Sequence, residues 1–314
     1  DPLKKFCQFL ENKRCKDGLF YWLHSYESGL DNSPRFTNQS ESVHYDIQNL
    51  AAIDLNTWMV LFYESMAEIA IIFNKSEDQR MFNGKLETLK RLINEKMWDE
   101  DDGLYYDFDL KLNTLKKINT IASLLPLAAG IPSKEQAQRL LQHIANPKEY
   151  NTKIPFPTVS KNSQEFVKDT WRGPVWVNTS FSIIYGLNRY GYSKEARDFS
   201  SKLVKGVYET LKNCGSLYEF YDPDRFDLKE LSRKKGNLLK AITLGTKPVS
   251  KFCGWTGIVN FLFVEYVLSL DLTKQDSKTQ ISIDLGDELK NQMGIQGKII
   301  EISLPFYNKV IRIQ

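Results

Sequence analysis

The chain has 314 residues, 42% hydrophobic and 26% charged, with 6 Trp, 15 Tyr and 18 Phe, enough for one large domain or two modest ones with a substantial core. Its net charge of +3 is too near neutral for a nucleic-acid binder, and the basic run Arg233–Lys235 reads as a solvated loop. Scattered histidines (His24, His44, His143) and cysteines without a CxxC pair (Cys7, Cys15, Cys214, Cys253) argue against a metal site or a His-based triad, and no run of about 18 apolar residues suggests a membrane span.

In chain order, Leu3, Phe6, Phe9 and Leu10 give helical spacing over 2–14, an amphipathic opening unlike a signal peptide. A polar loop follows, with YWLHSYESGLDNSPRF at 21–36. Gly29 and Pro34 in it restrict or free the backbone as turns require, so turn formation alone would explain its composition. Asp54 is placed to cap a helix over 54–74 that is apolar almost all round and therefore expected to be buried on every side. The next helix, 76–97, carries one stripe: Phe82, Leu86, Leu89, Ile93 and Met97. WDEDDGLYYDFDL (98–110) suggests a hairpin turning at Asp102–Gly103; its acids lack the full ligand series of a calcium loop. Then come a short apolar helix (119–129), a helix to 145 opened by Ser133, and an extended IPFPT. WRGPVW leads into an apolar helix ending near Leu187, and Ser193 is expected to cap the helix 194–213. GSLYEFYDPD (215–224), a charged linker at 225–250 read as a passive insertion rather than a lid, CGWTG and a last apolar helix (256–270) complete this part. Alternation in ISIDL, KIIEISL and KVIRI predicts a small β element.

Inner apolar and outer amphipathic helices thus alternate, as a double-layered toroid of helices requires. The aromatic-rich loops at 21–36, 171–178, 215–224 and 253–257 precede its inner helices and should gather at one end. That would bring two carboxylates, Asp31 and Glu219, among Trp22, Trp171, Trp176, Tyr221 and Trp255, with Arg35, Arg172, Gly173, Asn32 and Asn178 nearby. Aromatic faces beside acids, amides and guanidiniums suit a sugar. Hydrolysing a glycosidic bond needs one group to protonate the leaving oxygen and one to activate water. No Gly-rich phosphate loop, nucleophile elbow or metal cluster offers another chemistry.

Five motifs in order along 1–270 carry a family resemblance: ESGLDNSPR (Glu27–Arg35), IDLN (Ile53–Asn56), WRGPVWVN (Trp171–Asn178), YEFYDP (Tyr218–Pro223) and GWTG (Gly254–Gly257). Together they resemble glycoside hydrolase family 63 and the related trehalases of family 37. The resemblance implies an all-α (α/α)6 barrel and an inverting mechanism that needs no cofactor. It puts Asp31 at the general-acid position and Glu219 at the general-base position. The helices from 2–14 onwards fit barrel positions five to twelve. An upstream segment or a second chain is therefore expected to complete the barrel, with domains at 1–275 and 276–314. The expected activity is that of an exo-acting α-glycosidase, α-glucosidase-like, with mannosylglycerate or glucosylglycerate hydrolase and then trehalase as neighbouring readings. Rivals of other classes are a non-catalytic sugar-binding or assembly subunit and a sugar epimerase built on His24 and His44.

Several roles stay open at this stage. Glu27 would bond sugar hydroxyls or brace its loop; Arg35 would clamp substrate or pair with Glu27; Trp171 and Trp176 would line the pocket or sit in the core. Asn56 is placed to face the sugar at the −1 position. No metal, nucleic acid or membrane is expected, the partner is a carbohydrate, and the free thiols lean towards a reducing, cytoplasmic compartment.

Overall fold

A computed structural model describes residues 1–36, 47–233 and 242–268, together with the backbone of strands 280–283, 300–304 and 309–313. The chain divides into two compact units, Asp1–Val259 and Asn260–Gln314. The domain boundary expected near 275 lies outside the described residues.

The first unit opens with helix α1 (Pro2–Lys13), capped by the Asp1 carboxylate, which accepts from the Leu3 amide at 3.0 Å. A two-stranded ribbon, β1 (Cys15–Lys16) and β2 (Leu19–Phe20), leads to the loop around Asp31. Helices α2 (Ile53–Ile72) and α3 (Ser76–Lys96) then pack along each other. On α3 the expected stripe is the buried one: Phe82, Leu86, Leu89 and Ile93, continued by Met97. On α2 the outcome differs. Eleven of its residues are buried, but Trp58, Leu61, Phe62 and Ile69 are only half covered, and Ile71, Ile72 and the following Phe73 are exposed. Its N-cap is Ala52, not Asp54, because the Asp54 carboxylate is taken by Arg35 and Trp22.

The hairpin forms where expected, from β4 (Trp98–Asp99) and β5 (Leu104–Tyr105). Asp99 and Asp102 receive Lys117 Nζ at 2.5 and 3.2 Å, so the acidic tip carries its own counter-charge. A three-stranded sheet escaped the sequence pattern: β3 (Leu50–Ala51), β6 (Asp107–Asp109) and β7 (Thr114–Lys116), in the order β3-β6-β7. Its strands are too short to show alternation, yet they carry Asp107 to Arg35. The apolar stretch near 121 is a 3-10 helix, Ile121–Leu127, with Pro126 inside it; proline lacks the amide that an α-helix would need there. Helix α4 (Lys134–Ala145) begins with a Ser133–Gln136 capping box. Helix α5 (Val177–Arg189) crosses the 3-10 helix closely at Gly186, where a Cβ would lie 2.6 Å from Leu127 Cβ. Helix α6 (Ser193–Cys214) starts one residue earlier than expected. Ser193 is its first residue, and the Ser193 hydroxyl bonds Asn188 Oδ1 at 2.9 Å instead of capping.

The last apolar stretch is a 3-10 turn (Trp255–Gly257), a short α7 (Ile258–Leu262) and a π-helical turn (Phe263–Val267), not one continuous α-helix. The second unit contains the expected β element: β8 (Gln280–Ile283), β9 (Ile300–Leu304) and β10 (Lys309–Ile313). β10 lies centrally, parallel to β8 and antiparallel to β9. No helix among the described residues is long and apolar enough to cross a membrane.

Candidate active site

The loop that carries Asp31 is held by its neighbours in sequence. After a 3-10 turn at Ser25–Ser28, every residue from Leu30 to Phe36 is buried. Leu30 and Phe36 enter one apolar cluster with Ile47, Leu50, Trp171, Trp176, Phe220 and Leu231. Asp31, between them, is 5% exposed. Asn32 ties this loop to the next: its Oδ1 accepts from the Trp171 amide at 2.9 Å, and its Nδ2 donates to the Asp169 carbonyl at 3.4 Å.

The Trp171–Trp176 loop in turn folds against Glu219. The two indoles stack with centroids 3.7 Å apart and planes 10° from parallel, and Trp176 continues onto Phe220 at 5.0 Å. Gly173 lets the loop pass close to its own start, since a Cβ there would lie 2.6 Å from the Val167 carbonyl oxygen. Val175 and Tyr221 exchange backbone bonds of 2.8 and 2.9 Å, which fixes the segment bearing Glu219. Trp255 donates from Nε1 to the Glu219 carbonyl at 3.3 Å. The loops expected to gather do gather, and Glu219 is 8% exposed among them.

One residue at this centre went unrecognised. Arg233 is 1% exposed, and its guanidinium faces the Glu219 carboxylate, Nη2 on Oε2 and Nη1 3.5 Å from Oε1. It lies within electrostatic reach of Asp31 and Asp169 as well, although burial outweighs those charges and lowers its pKa. The linker that carries it is not a passive insertion in its described parts. Leu231 joins the apolar cluster, Thr170 donates to the Ser232 carbonyl at 3.1 Å, and Lys247 Nζ bonds the carbonyls of Leu228, Lys229 and Leu231. Within the basic run, Arg233 is therefore the opposite of solvated. Lys235 lies outside the described residues. A basic triplet in a polar stretch gives no signal that one member turns inward; only the neighbouring Leu231 hinted at it.

Other expected residues take places in the frame. Arg35 does not pair with Glu27. Its Nε and Nη2 bond both oxygens of Asp107 at 2.8 and 2.7 Å, and Nη2 reaches Asp54 Oδ1 at 3.0 Å. Burial opposes its charge, but Asp107 and Asp54 outweigh that and raise its pKa. Glu27 braces its loop by accepting from Arg14 and the Leu23 amide, each at 2.8 Å; despite partial burial these bonds hold its carboxyl below the usual range. Asn56 is fully buried, and its side chain bonds backbone groups of Phe20 and Ala52. It turns into the frame rather than towards a ligand. Trp171 and Trp176 belong to the core cluster, whereas Trp22 and Trp255 stand half buried at its edge. Tyr221 is fully buried; burial pushes its phenol up to about 12, and the oxygen accepts from the Tyr218 amide. Arg172 is buried and paired with Glu165. Several side-chain polar atoms here are buried without a hydrogen-bond partner among the described residues, including Arg35 Nη1, Asp54 Oδ2, Asn178 Oδ1 and Arg233 Nε. Of the two histidines considered for an epimerase, His24 accepts from the Tyr26 amide and His44 lies outside the described residues.

Comparison with known proteins points one way. The model of a family described as the mannosylglycerate hydrolase MGH1-like glycoside hydrolase domain matches residues 1–233. A mannosylglycerate hydrolase of Rubrobacter radiotolerans is 26% identical over 259 residues, covering 66% of this chain and 58% of that protein. A probable mannosyl-oligosaccharide glucosidase of Schizosaccharomyces pombe is 25% identical over 255 residues, covering 75% of this chain and 28% of the other. The crystal structure of a family 63 mannosylglycerate hydrolase from Thermus thermophilus with glucose superposes with a TM-score of 0.60 at 21% identity, over 72% of this chain and 63% of that one. The helix-rich fold is thus shared, and the chain spans only part of the length of these relatives.

Proposed function

Because the chain belongs to glycoside hydrolase family 63, through its mannosylglycerate-hydrolase-like domain, we propose that it forms the acid–base half of an inverting exo-α-glycosidase on an (α/α)6 barrel. The observation that carries this reading is the pairing of two buried carboxylates, Asp31 and Glu219, on loops joined through one aromatic stack and sharing the field of Arg233. Asp31 would protonate the departing glycosidic oxygen. Glu219 would take a proton from a water that attacks the anomeric carbon from the opposite face, so that the sugar leaves with inverted configuration. The carboxyl groups of such enzymes stand about 6.5–9.5 Å apart, and that is the separation expected here. The orphaned atoms Arg35 Nη1, Asp54 Oδ2 and Asn178 Oδ1 suit sugar hydroxyls, since buried polar groups otherwise carry a free-energy cost. Trp22 and Trp255, half buried at the cluster edge, suit its ring faces. A segment or second chain that completes the barrel would cover the exposed apolar residues of α1 and α2.

Two substrate classes compete. A neutral α-glucoside suits the polar atoms named above. A glycoside with an anionic aglycone, such as glucosylglycerate or mannosylglycerate, is the alternative, in line with the mannosylglycerate hydrolases that the chain resembles. Turnover of glucosylglycerate, trehalose and a nitrophenyl α-glucoside side by side ranks them. Asp31→Asn and Glu219→Gln should each lower hydrolysis by about 10²–10⁴-fold, with the product released as the β-anomer by NMR. Retained activity in either variant, or an α-anomer as the first product, sinks the reading.

A further inference from the structure

We propose that Arg233 is a positioning residue for Glu219: its two-point guanidinium contact fixes the orientation of that carboxylate and keeps it ionised, ready to accept a proton. The inference rests on Glu219 being the base, and it adds a function for a residue that touches no other carboxylate at hydrogen-bond distance among the contacts described.

The physical need is plain. A general base must be unprotonated at working pH, yet Glu219 is buried beside Phe220, Tyr221 and Trp255. Removing a carboxylate from water favours its neutral form, and an opposite charge in contact reverses that. Arg233 is the charge in place. Its planar fork meets the carboxylate through two nitrogens, a geometry that sets direction as well as charge and that a lysine cannot copy. The arginine is itself anchored at both ends. Its amide donates to the Thr246 carbonyl at 2.9 Å, its guanidinium carbon lies 5.5 Å from the centre of the Phe220 ring, and the adjoining Ser232 amide bonds Lys168 O at 2.9 Å. The other charges that face this pair are Asp31 and Asp169, both of which favour the charged arginine. On its own segment, Tyr218 precedes Glu219 and Tyr221 lies two residues after it, and Lys168 is engaged by Asp222 at 2.8 Å and is therefore not a substitute partner. Thus the segment bearing Arg233 supplies the base with its counter-charge from across the site, which is why it is stitched into the core.

The test uses Arg233→Gln and Arg233→Lys in the full chain. The acid limb of kcat/KM, which follows deprotonation of the base, should move up by about one pH unit or more in Arg233→Gln. Arg233→Lys should restore the limb in part, because charge returns without the fork. A second readout needs no substrate. Without its arginine, ionised Glu219 is buried unpaired, so the Tm of Arg233→Gln should fall further below wild type at pH 8 than at pH 5. Adding Glu219→Gln should abolish that pH dependence. An unmoved acid limb with a change confined to KM for anionic aglycones would overturn the proposal and make Arg233 a substrate ligand. A Tm deficit equal at both pH values would overturn it as well. If no α-glycoside is turned over but the Tm pattern appears, the pairing stands and the glycosidase reading falls instead.

Discussion

Arg35 holds Asp107 through two bonds and Asp54 through a third, in a place where water cannot help any of the three. Removing one partner of such a buried group strands the others, at a cost of about 3–5 kcal/mol. Arg35→Met should therefore lower the urea midpoint by that equivalent, a far larger loss than Glu27→Gln. Glu27 is exposed and its Arg14 contact is a surface pair, worth about 0–1 kcal/mol. Asn56→Ala removes two bonds that hold β2 to the start of α2 and a third to the Ala52 carbonyl at the helix's own cap, and it should destabilise without changing KM, because its side chain is spent on backbone. These three residues share one motif-rich stretch, yet the chemistry they serve differs. Asp31, four residues before Arg35, is the one proposed to take part in the reaction.

Among elements, the hairpin β4–β5 is joined to α4 through His143. Its Nδ1 lies 2.7 Å from Glu149 Oε2 and its Nε2 lies 2.9 Å from the Asp102 carbonyl. The bond from Glu149 raises the histidine's pKa; Glu149, despite burial, is lowered by the same contact. The raised histidine contributes stability that is complete below its unfolded pKa of about 6.5 and lost as pH climbs through its folded value. The lowered glutamate contributes above about 4.5 and loses it as pH falls through its folded value. The Tm gap between wild type and His143→Ala should thus be widest near pH 5–6 and narrow above neutrality, as scanning calorimetry would show. In the loop between Val167 and Val175, Gly173→Ala would drive a Cβ against the Val167 carbonyl and misplace both tryptophans. Hydrolysis should fall together with stability, unlike the Asp31→Asn variant, whose folding should hold.

Across the first unit, two neighbouring helices each carry a run of exposed apolar residues. Leu3, Phe6 and Phe9 lie along α1, with Phe6 edge-on to Phe62 of α2, and Ile71, Ile72 and Phe73 close α2. Exposed apolar side chains grouped in this way suit a further contact. The chain alone should bind a hydrophobic dye in its folded state, and Phe6→Ser with Phe9→Ser should reduce that binding without lowering Tm. Unchanged dye binding would place the contact elsewhere.

Much of this was legible before any coordinates. Long-period apolar spacing gave α1, α3 and α6, because a stripe that must face a core repeats every three or four residues, and the Ser133 cap gave α4. The five motifs identified the family and singled out Asp31 and Glu219, since loops that bind sugar need particular side chains at fixed offsets. Tertiary structure alone decided what those loops meet. Arg35 finds Asp107 across 72 residues, on a strand too short to announce itself, and Asn32 finds Trp171 across 139. Arg233 looked like one more solvated lysine-rich turn until Leu231 and Lys247 drew its segment inward. Local periodicity reports how an element is half buried. Which buried charge meets which is set by packing between distant segments, where desolvation permits only matched partners.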